Sequence, residues 1–264
     1  MENPQSGRVR RVAALARKKE RQQRGMFLVE GPQAVRELLR HRPDLAETVY
    51  ATMGTEAWQH ELDRLASEHG VVIERVTDQV IAAMAETVNP QGVVAVARIE
   101  SAALDAGGAL SGARLVAILH EVRDPGNAGT VLRAADAAGA DAVIFSGESI
   151  DPWHPKVVRS TTGSLFHLPV AVVPTLADAV VAVSSAGLRI MAADVHGDDL
   201  SAPSTSLSGS VAWLFGNEAR GLTDAERALA DQVVRLPIYG KAESLNLATA
   251  ASVCLYTTAF AQRG

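Results

Sequence analysis

From Ala113 onward the chain alternates short, continuously apolar runs with longer amphipathic ones, and no other feature restricts its fold as strongly. The apolar runs are "ARLVAILH", "DAVIFS", "LPVAVV", "LRIMAAD", "VAWLFG" and "VVRLPI". Between them lie "NAGTVLRAADAAGA", "HPKVVRSTTG", "TLADAVVAVSSAG" and "TDAERALADQ", and "LNLATAASVCLYTTAFA" follows the last. A strand without polar alternation is one covered on both faces, the condition of parallel strands joined by helical crossovers. The pattern therefore predicts a doubly wound α/β sheet with a C-terminal helix. Ligands of such sheets bind beyond the carboxyl ends of the strands. The loops after "AILH", "IFS", "MAAD", "WLFG" and "LPI" are thus the ones to read for chemistry.

Upstream, "MFLVEG", "ETVYAT", "VVIERV" and "GVVAVARI" read as strands, alternating with helical segments "PQAVRELLRHR", "EAWQHELDRLASEHG" and "TDQVIAAMAE". This smaller α/β unit ends near Ile99. The stretch "ESAALDAGGALSG", residues 100–112, has small residues and little periodicity, as a linker does. The expected division is 1–99, linker 100–112, and 113–264. A chain of 264 residues with 47% hydrophobic composition can fill two such cores.

The net charge of −5 conceals an asymmetry. Residues 8–24 hold Arg8, Arg10, Arg11, Arg17, Lys18, Lys19, Arg21 and Arg24 against Glu20 alone; that segment is +7, which leaves −12 for the remainder. A basic helix of this kind is either a solvated face or a docking element for a polyphosphate. The single cysteine, Cys254, in "ASVCLYTTAF", reads as a buried helix thiol. No apolar run reaches the roughly 20 residues of a membrane-spanning helix. The first residues, "MENPQSGRVRRVAALARKKERQQRG", lack a secretory apolar core, so a cytoplasmic protein is expected.

Three loops are rich in polar groups. In "EVRDPGNAGTVLRAADAAG", Asn127 is placed to cap a helix and Arg133 follows on its first turns. In "GNEARGL", Glu218 sits just after a strand, between Gly216 and Gly221. In "YGKAESLN", Ser244 precedes an apolar helix that its hydroxyl could cap, with Asn246 one step inside. Taken singly, each has a plain reading as a cap, a turn residue or a surface arginine. Several chemistries are disfavoured: there is no G-x-x-x-x-G-K-[ST], no G-x-G-x-x-G after the first strand of the second unit, and no G-x-S-x-G. His120, His154, His167 and His196 show no close paired ligand spacing and there is no C-x-x-C, so no catalytic metal is expected.

Together the three loops resemble those of the SpoU-type, or TrmH-like, RNA ribose 2′-O-methyltransferases of the SPOUT superfamily. "NAGTVLRAADAAGAD", "GNEARGL" and "LPIYGKAESLNLATAAS" match that family's three motifs in order and spacing, and "FLVEGPQAVRELL" resembles the RNA substrate-binding domain many members carry. The resemblance implies a C-terminal α/β trefoil-knot methyltransferase domain behind a small ribosomal-protein-like α/β RNA-binding domain. It implies S-adenosylmethionine as cofactor, RNA as partner and a homodimer with the site completed near the subunit interface. The knot would bring Gly216, Leu236 and Leu245 around the cofactor. Arg133 would act on the 2′-hydroxyl, with Asn127 holding Arg133 or the ribose, Glu218 pairing with an arginine or orienting its loop, and Ser244 and Asn246 positioning substrate. Arg159 in "HPKVVRSTTGSLF" also matches and would contact RNA. The expected substrate is 23S ribosomal RNA. The alternatives are transfer RNA, a ribosome-associated binding protein that no longer catalyses, and an unrelated nucleotide-binding enzyme.

Overall fold

The computed structural model describes residues 2–104, 108–202 and 205–264; positions 105–107 of the expected linker lie outside them. By internal contact the chain forms two compact units, one of residues 1–100 with 151–167 and the other of residues 101–150 with 168–264.

The first unit contains α1 (Gly7–Ala13), α2 (Lys18–Arg24), β1 (Met26–Glu30), α3 (Pro32–His41), β2 (Ala46–Thr52), α4 (Ala57–His69), β3 (Ile73–Val76), α5 (Asp78–Met84) and β4 (Val93–Arg98). Its sheet has the order β1-β4-β2-β3, with β4 antiparallel to both neighbours and β2 parallel to β3. The basic segment is not one helix. A 3-10 turn at Ala14–Ala16 and an extended Arg17 (φ −91°, ψ 132°) separate α1 from α2. The break lets Val9, Val12 and Leu15 enter the core while Arg21 turns inward. The fully buried Arg21 donates from Nε (2.8 Å) and Nη2 (2.6 Å) to Asp151 Oδ2, and from Nη1 to the carbonyls of Leu15 and Ala16. Loss of Asp151 would leave a buried guanidinium uncompensated, a cost of about 3–5 kcal/mol.

The second unit begins with β5 (Leu115–His120), α6 (Pro125–Ala138) and β6 (Ala142–Ser146). The next helix, α7 (Pro155–Ser160), packs with the first unit. Then follow β7 (Val170–Val173), α8 (Leu176–Ser185), β8 (Arg189–Asp199), β9 (Val211–Phe215), α9 (Asp224–Arg227), β10 (Gln232–Arg235) and α10 (Leu247–Arg263). The six strands are all parallel, in the order β10-β8-β9-β5-β6-β7.

Strand side chains alternate between faces. Val116, Ile118, Ile144, Ile190, Ala212 and Leu214 pack with Ala179 and Val183 of α8 in one core. On the opposite face Trp213 lies against α10, its indole N–H donating to Thr258 Oγ1 at 2.8 Å. Thr258 in turn donates to the Cys254 carbonyl, and burial pushes the Cys254 thiol up to about 12, as an inert core group requires. After β10, at the sheet edge, the chain returns through residues 236–246 and lays α10 against α6, β9 and β5. That return is where the resemblance places the knot.

Candidate active site

The chain runs outward from β5 to β6 and β7 on one side, and the later strands fill the other side from β9 to β10. The reversal between β5 and β9 is the position at which an open parallel sheet leaves a crevice. Their following loops, 121–124 and 216–222, meet there.

Glu218 makes the junction. Its Oε2 accepts from Arg123 N (3.1 Å), and its Oε1 from Asp124 N (2.9 Å) and Asn127 Nδ2 (3.4 Å). A carboxylate only accepts, so Asn127 must turn its amide nitrogen toward Glu218 and its Oδ1 away. Oδ1 then receives Asn246 Nδ2 at 3.0 Å, which leaves Asn246 Oδ1 facing Ala248 N (2.9 Å) and Thr249 N (3.4 Å) at the start of α10. One acceptor thereby orients two amides in series and joins three segments, the outer two of which are 119 positions apart along the chain.

These bonds correct two expected caps. Asp124, not Asn127, caps α6, its side chain accepting from Asn127 N at 2.7 Å; Pro125 occupies the first helical turn and moves the boundary back. Asn246, not Ser244, caps α10, and Ser244 is exposed. Glu218 bonds backbone amides rather than an arginine, and Asn127 bonds Glu218 and Asn246 rather than Arg133.

Beyond the carboxyl ends of β8, β9 and β10 lies a cleft of about 350 Å³ whose lining includes Gly216, Glu218, Leu236, Ser244 and Leu245, together with Phe215, Ile238 and Leu247. Asn127 and Asn246 are tied to this wall through Glu218. Arg133 is not among the lining residues. Six positions beyond Asn127 it points about 120° away round the helix, exposed and, among the described residues, without a hydrogen-bond or ion-pair partner.

Other cleft residues carried no sequence signal. Asp194 and His196 reach the cleft because β8 bulges: Val233 pairs with Ala192 but Val234 with Asp198. Gly197 permits this, since a Cβ there would lie 2.4 Å from the Val233 carbonyl carbon and the Val234 nitrogen. Although burial opposes it, hydrogen bonds from His196 and the nearby Arg227 hold the Asp194 carboxyl below its ordinary range. Behind the 216–222 loop, Arg220 bridges Glu121 (3.0 Å) and Glu226 (2.8 Å), holding Glu226 down to about 2. Glu226 also meets the buried His120 Nε2 at 3.0 Å, and His120 Nδ1 lies 3.1 Å from Ser146 Oγ. Glu121 itself has φ 52°, a left-handed conformation costing a non-glycine residue about 1–3 kcal/mol. Its carbonyl accepts from Asn217 Nδ2 at 2.8 Å and its carboxylate from Arg220, so the strain is held by its neighbours.

Arg159, expected to face RNA, lies on α7 within the first unit and serves there as a counter-ion. It donates to Glu30 Oε2 (3.3 Å) and Glu86 Oε2 (3.0 Å), Glu30 being buried.

A parallel α/β unit with these three loops around one cleft has the fold of the SpoU/TrmH group of SPOUT methyltransferases. A solved structure of the SpoU methyltransferase AviRb from Streptomyces viridochromogenes superposes with a TM-score of 0.82 at 30% identity, covering 97% of this chain and 98% of that one. The same protein in complex with AdoMet gives 0.81 at 31% identity, again over 97% and 98%. The SpoU rRNA Methylase family model matches residues 114–256, and the MRM3-like substrate binding domain matches residues 6–95. Over 260 residues the chain is 32% identical to the 23S rRNA (guanosine(2553)-2′-O)-methyltransferase RlmP of Bacillus subtilis, covering 97% of both chains. It is 31% identical to the 23S rRNA (guanosine-2′-O-)-methyltransferase RlmB of Bordetella pertussis, over 90% of this chain and 98% of that one. The chain belongs to the SpoU rRNA methylase family.

Proposed function

We propose that this protein methylates a ribose 2′-hydroxyl of 23S ribosomal RNA with S-adenosylmethionine as donor, residues 113–264 carrying the chemistry and residues 1–99 binding RNA. The observation that carries the reading is the Glu218, Asn127 and Asn246 chain, which ties all three family motifs to one cleft. The cleft suits the cofactor. Phe215, Leu236, Ile238, Leu245 and Leu247 offer apolar walls, and residues 236–245 make no hydrogen bond among the described residues, so their backbone groups remain available to a ligand's polar edge. When bound, S-adenosylmethionine supplies a methyl carbon on a sulfonium.

Direct displacement by the ribose oxygen needs alignment and help with the hydroxyl proton. Arg133, exposed and without a hydrogen-bond or ion-pair partner among the described residues, can grip the neighbouring phosphate and stabilise charge on the 2′-oxygen. A guanidinium stays protonated, so its role is electrostatic rather than that of a base. Glu218 fixes the N-terminus of α6, and with it the helix that carries Arg133.

Arg133 lies outside the cleft of its own chain, which supports a homodimer in which each subunit completes the other's site. Val253 (42% exposed), Tyr256 (39%) and Phe260 (70%) form an apolar stripe on the outer face of α10, the kind of surface a partner covers. The setting is the cytoplasm, where such RNA is made and modified; no described helix is long and apolar enough to cross a membrane.

The decisive experiment maps ribose methylation across the RNAs of a deletion strain and asks whether the purified protein restores the missing site. Base methylation alone would reject the 2′-O assignment. Arg133→Ala should lower methyl transfer by about 10²-fold or more with cofactor binding intact; undiminished transfer would remove the role given to Arg133. Because Val9, Val12 and Leu15 are core residues, the basic segment is better tested by Lys18→Glu and Lys19→Glu than by truncation. The pair should weaken RNA binding and flatten its salt dependence.

A further inference from the structure

In the first unit, Glu37, His41 and His167 turn three ligand atoms toward one another within 4.8 Å. Glu37 and His41 stand one turn apart on α3 and so share a face. His167 follows a tight turn in which Thr162 (φ 51°) and Gly163 (φ 108°) both take left-handed conformations. That turn is fitted to Glu37: a Cβ on Gly163 would lie 2.4 Å from Glu37 Cγ. Phe166, one residue before His167, stacks on Phe27 of β1 at 6.4 Å between ring centroids and anchors the turn.

The carboxylate is divided between two tasks. Glu37 Oε1 accepts from Gln33 Nε2 (3.0 Å) and faces Arg36 Nε (3.4 Å), whereas Oε2 faces His41 Nε2 (3.3 Å) and His167 Nε2 (3.2 Å). The two imidazoles stand nearly edge to face, centroids 4.5 Å apart. Two of the three ligand–ligand separations, 3.3 and 3.2 Å, lie close to the edge of a tetrahedron with metal–ligand bonds of about 2.0–2.1 Å, which is roughly 3.3–3.4 Å. Outer contacts from Gln33 and Arg36 to the second carboxylate oxygen are the support that ligating carboxylates characteristically receive.

We propose that Glu37, His41 and His167 form a binding site for a divalent transition-metal ion of the zinc class, bound through Glu37 Oε2 and the two imidazole Nε2 atoms with a fourth position open to solvent. Two imidazoles and one carboxylate suit zinc rather than calcium or magnesium, which take oxygen ligands. The ion pins the end of segment 151–167 to α3, as the Arg21–Asp151 pair pins its beginning. Its role is structural, and the proposal stands independently of the methyl-transfer reading.

The test uses full-length, untagged protein stripped with chelator and titrated with Zn²⁺ against a chromogenic competitor, with Co²⁺ as a spectroscopic probe of tetrahedral ligation. The expected result is one tight ion per chain, a Zn²⁺-dependent rise in melting temperature and intense Co²⁺ bands. His41→Ala and His167→Ala should each weaken binding by at least about a hundredfold, and Gln33→Ala by about tenfold. His69→Ala, on the exposed end of α4, should change nothing. Because the His41 side chain is 49% exposed, its variant folds even where His167→Ala does not. Failure to bind Zn²⁺, or unchanged affinity in His41→Ala, overturns the proposal.

Discussion

In the cleft wall formed by residues 216–222, Asn217 bonds the Glu121 carbonyl and the amides of Ala219 and Arg220; Arg220 bridges two carboxylates, and Gly221 N returns to the Asn217 carbonyl. In the wall formed by residues 236–245, no hydrogen bond closes among the described residues, and Ile238, Tyr239 and Leu245 are exposed. The first wall has its geometry before any ligand arrives. The second has little to hold it, and ordering it on binding costs conformational entropy that ligand contacts must offset. A methyltransferase needs both: a fixed frame to align the acceptor, and a pliable side through which the donor enters and its product leaves.

The largest expected effect comes from breaking the fixed wall. Glu218→Ala removes the acceptor that orients Asn127 and, through it, Asn246. Misplacement of that kind should lower methyl transfer by about 10²-fold in a single-turnover assay. Since Glu218 is exposed, the melting temperature should fall only slightly. Hydrogen exchange sharpens the contrast: amides of 236–245 should exchange rapidly in the free protein and slow markedly with S-adenosylmethionine, while those of 217–222 should change little. Equal protection of both loops before ligand would erase the distinction.

Leu236→Ala should weaken cofactor binding by about tenfold, the loss of roughly 1–2 kcal/mol of apolar contact, with kcat largely retained. The smallest effect concerns acid stability. Glu226 is held at about 2 against an ordinary value of 4.5, chiefly by Arg220. The unfolded chain therefore takes up this proton first as pH falls. The pair's stabilisation is complete above about 4.5 and disappears as the pH drops through about 2. Glu226→Gln should flatten the denaturation profile across that window; an unchanged slope would show that the bridge contributes nothing.

Much of the fold could be read from local pattern. β5, β6 and β9 are buried along their whole length, so they appear as uninterrupted apolar runs, and neighbouring loops follow from them. Long-range pairing could not be read in this way. The break at Arg17 depends on Arg21 finding Asp151, 130 residues away, and α7 is a plain local helix whose packing is decided by pairs such as Arg159 with Glu30. Within the site, the residue types were legible but their partners were not, because Asn127 and Asn246 are separated by 119 positions. The α6 cap has a local cause, since Pro125 occupies the first helical turn and leaves Asp124 as its cap, whereas the face Asn246 turns to α10 is set by its distant partner Asn127. Glu37 and His41 lay in plain view at helical spacing, but only the fold brings His167 beside them.

The serial orientation of Asn127 and Asn246 gives the protein a chemical lifetime distinct from its thermal one. Deamidation of Asn246 would leave an oxygen able to cap α10, so the helix would persist and a melting curve would scarcely register the change. The same conversion deletes the donor that Asn246 directs at Asn127 Oδ1 and sets two acceptors face to face. An aged preparation would then be folded, soluble and progressively inactive, its damage visible as a gain of one mass unit rather than as loss of structure.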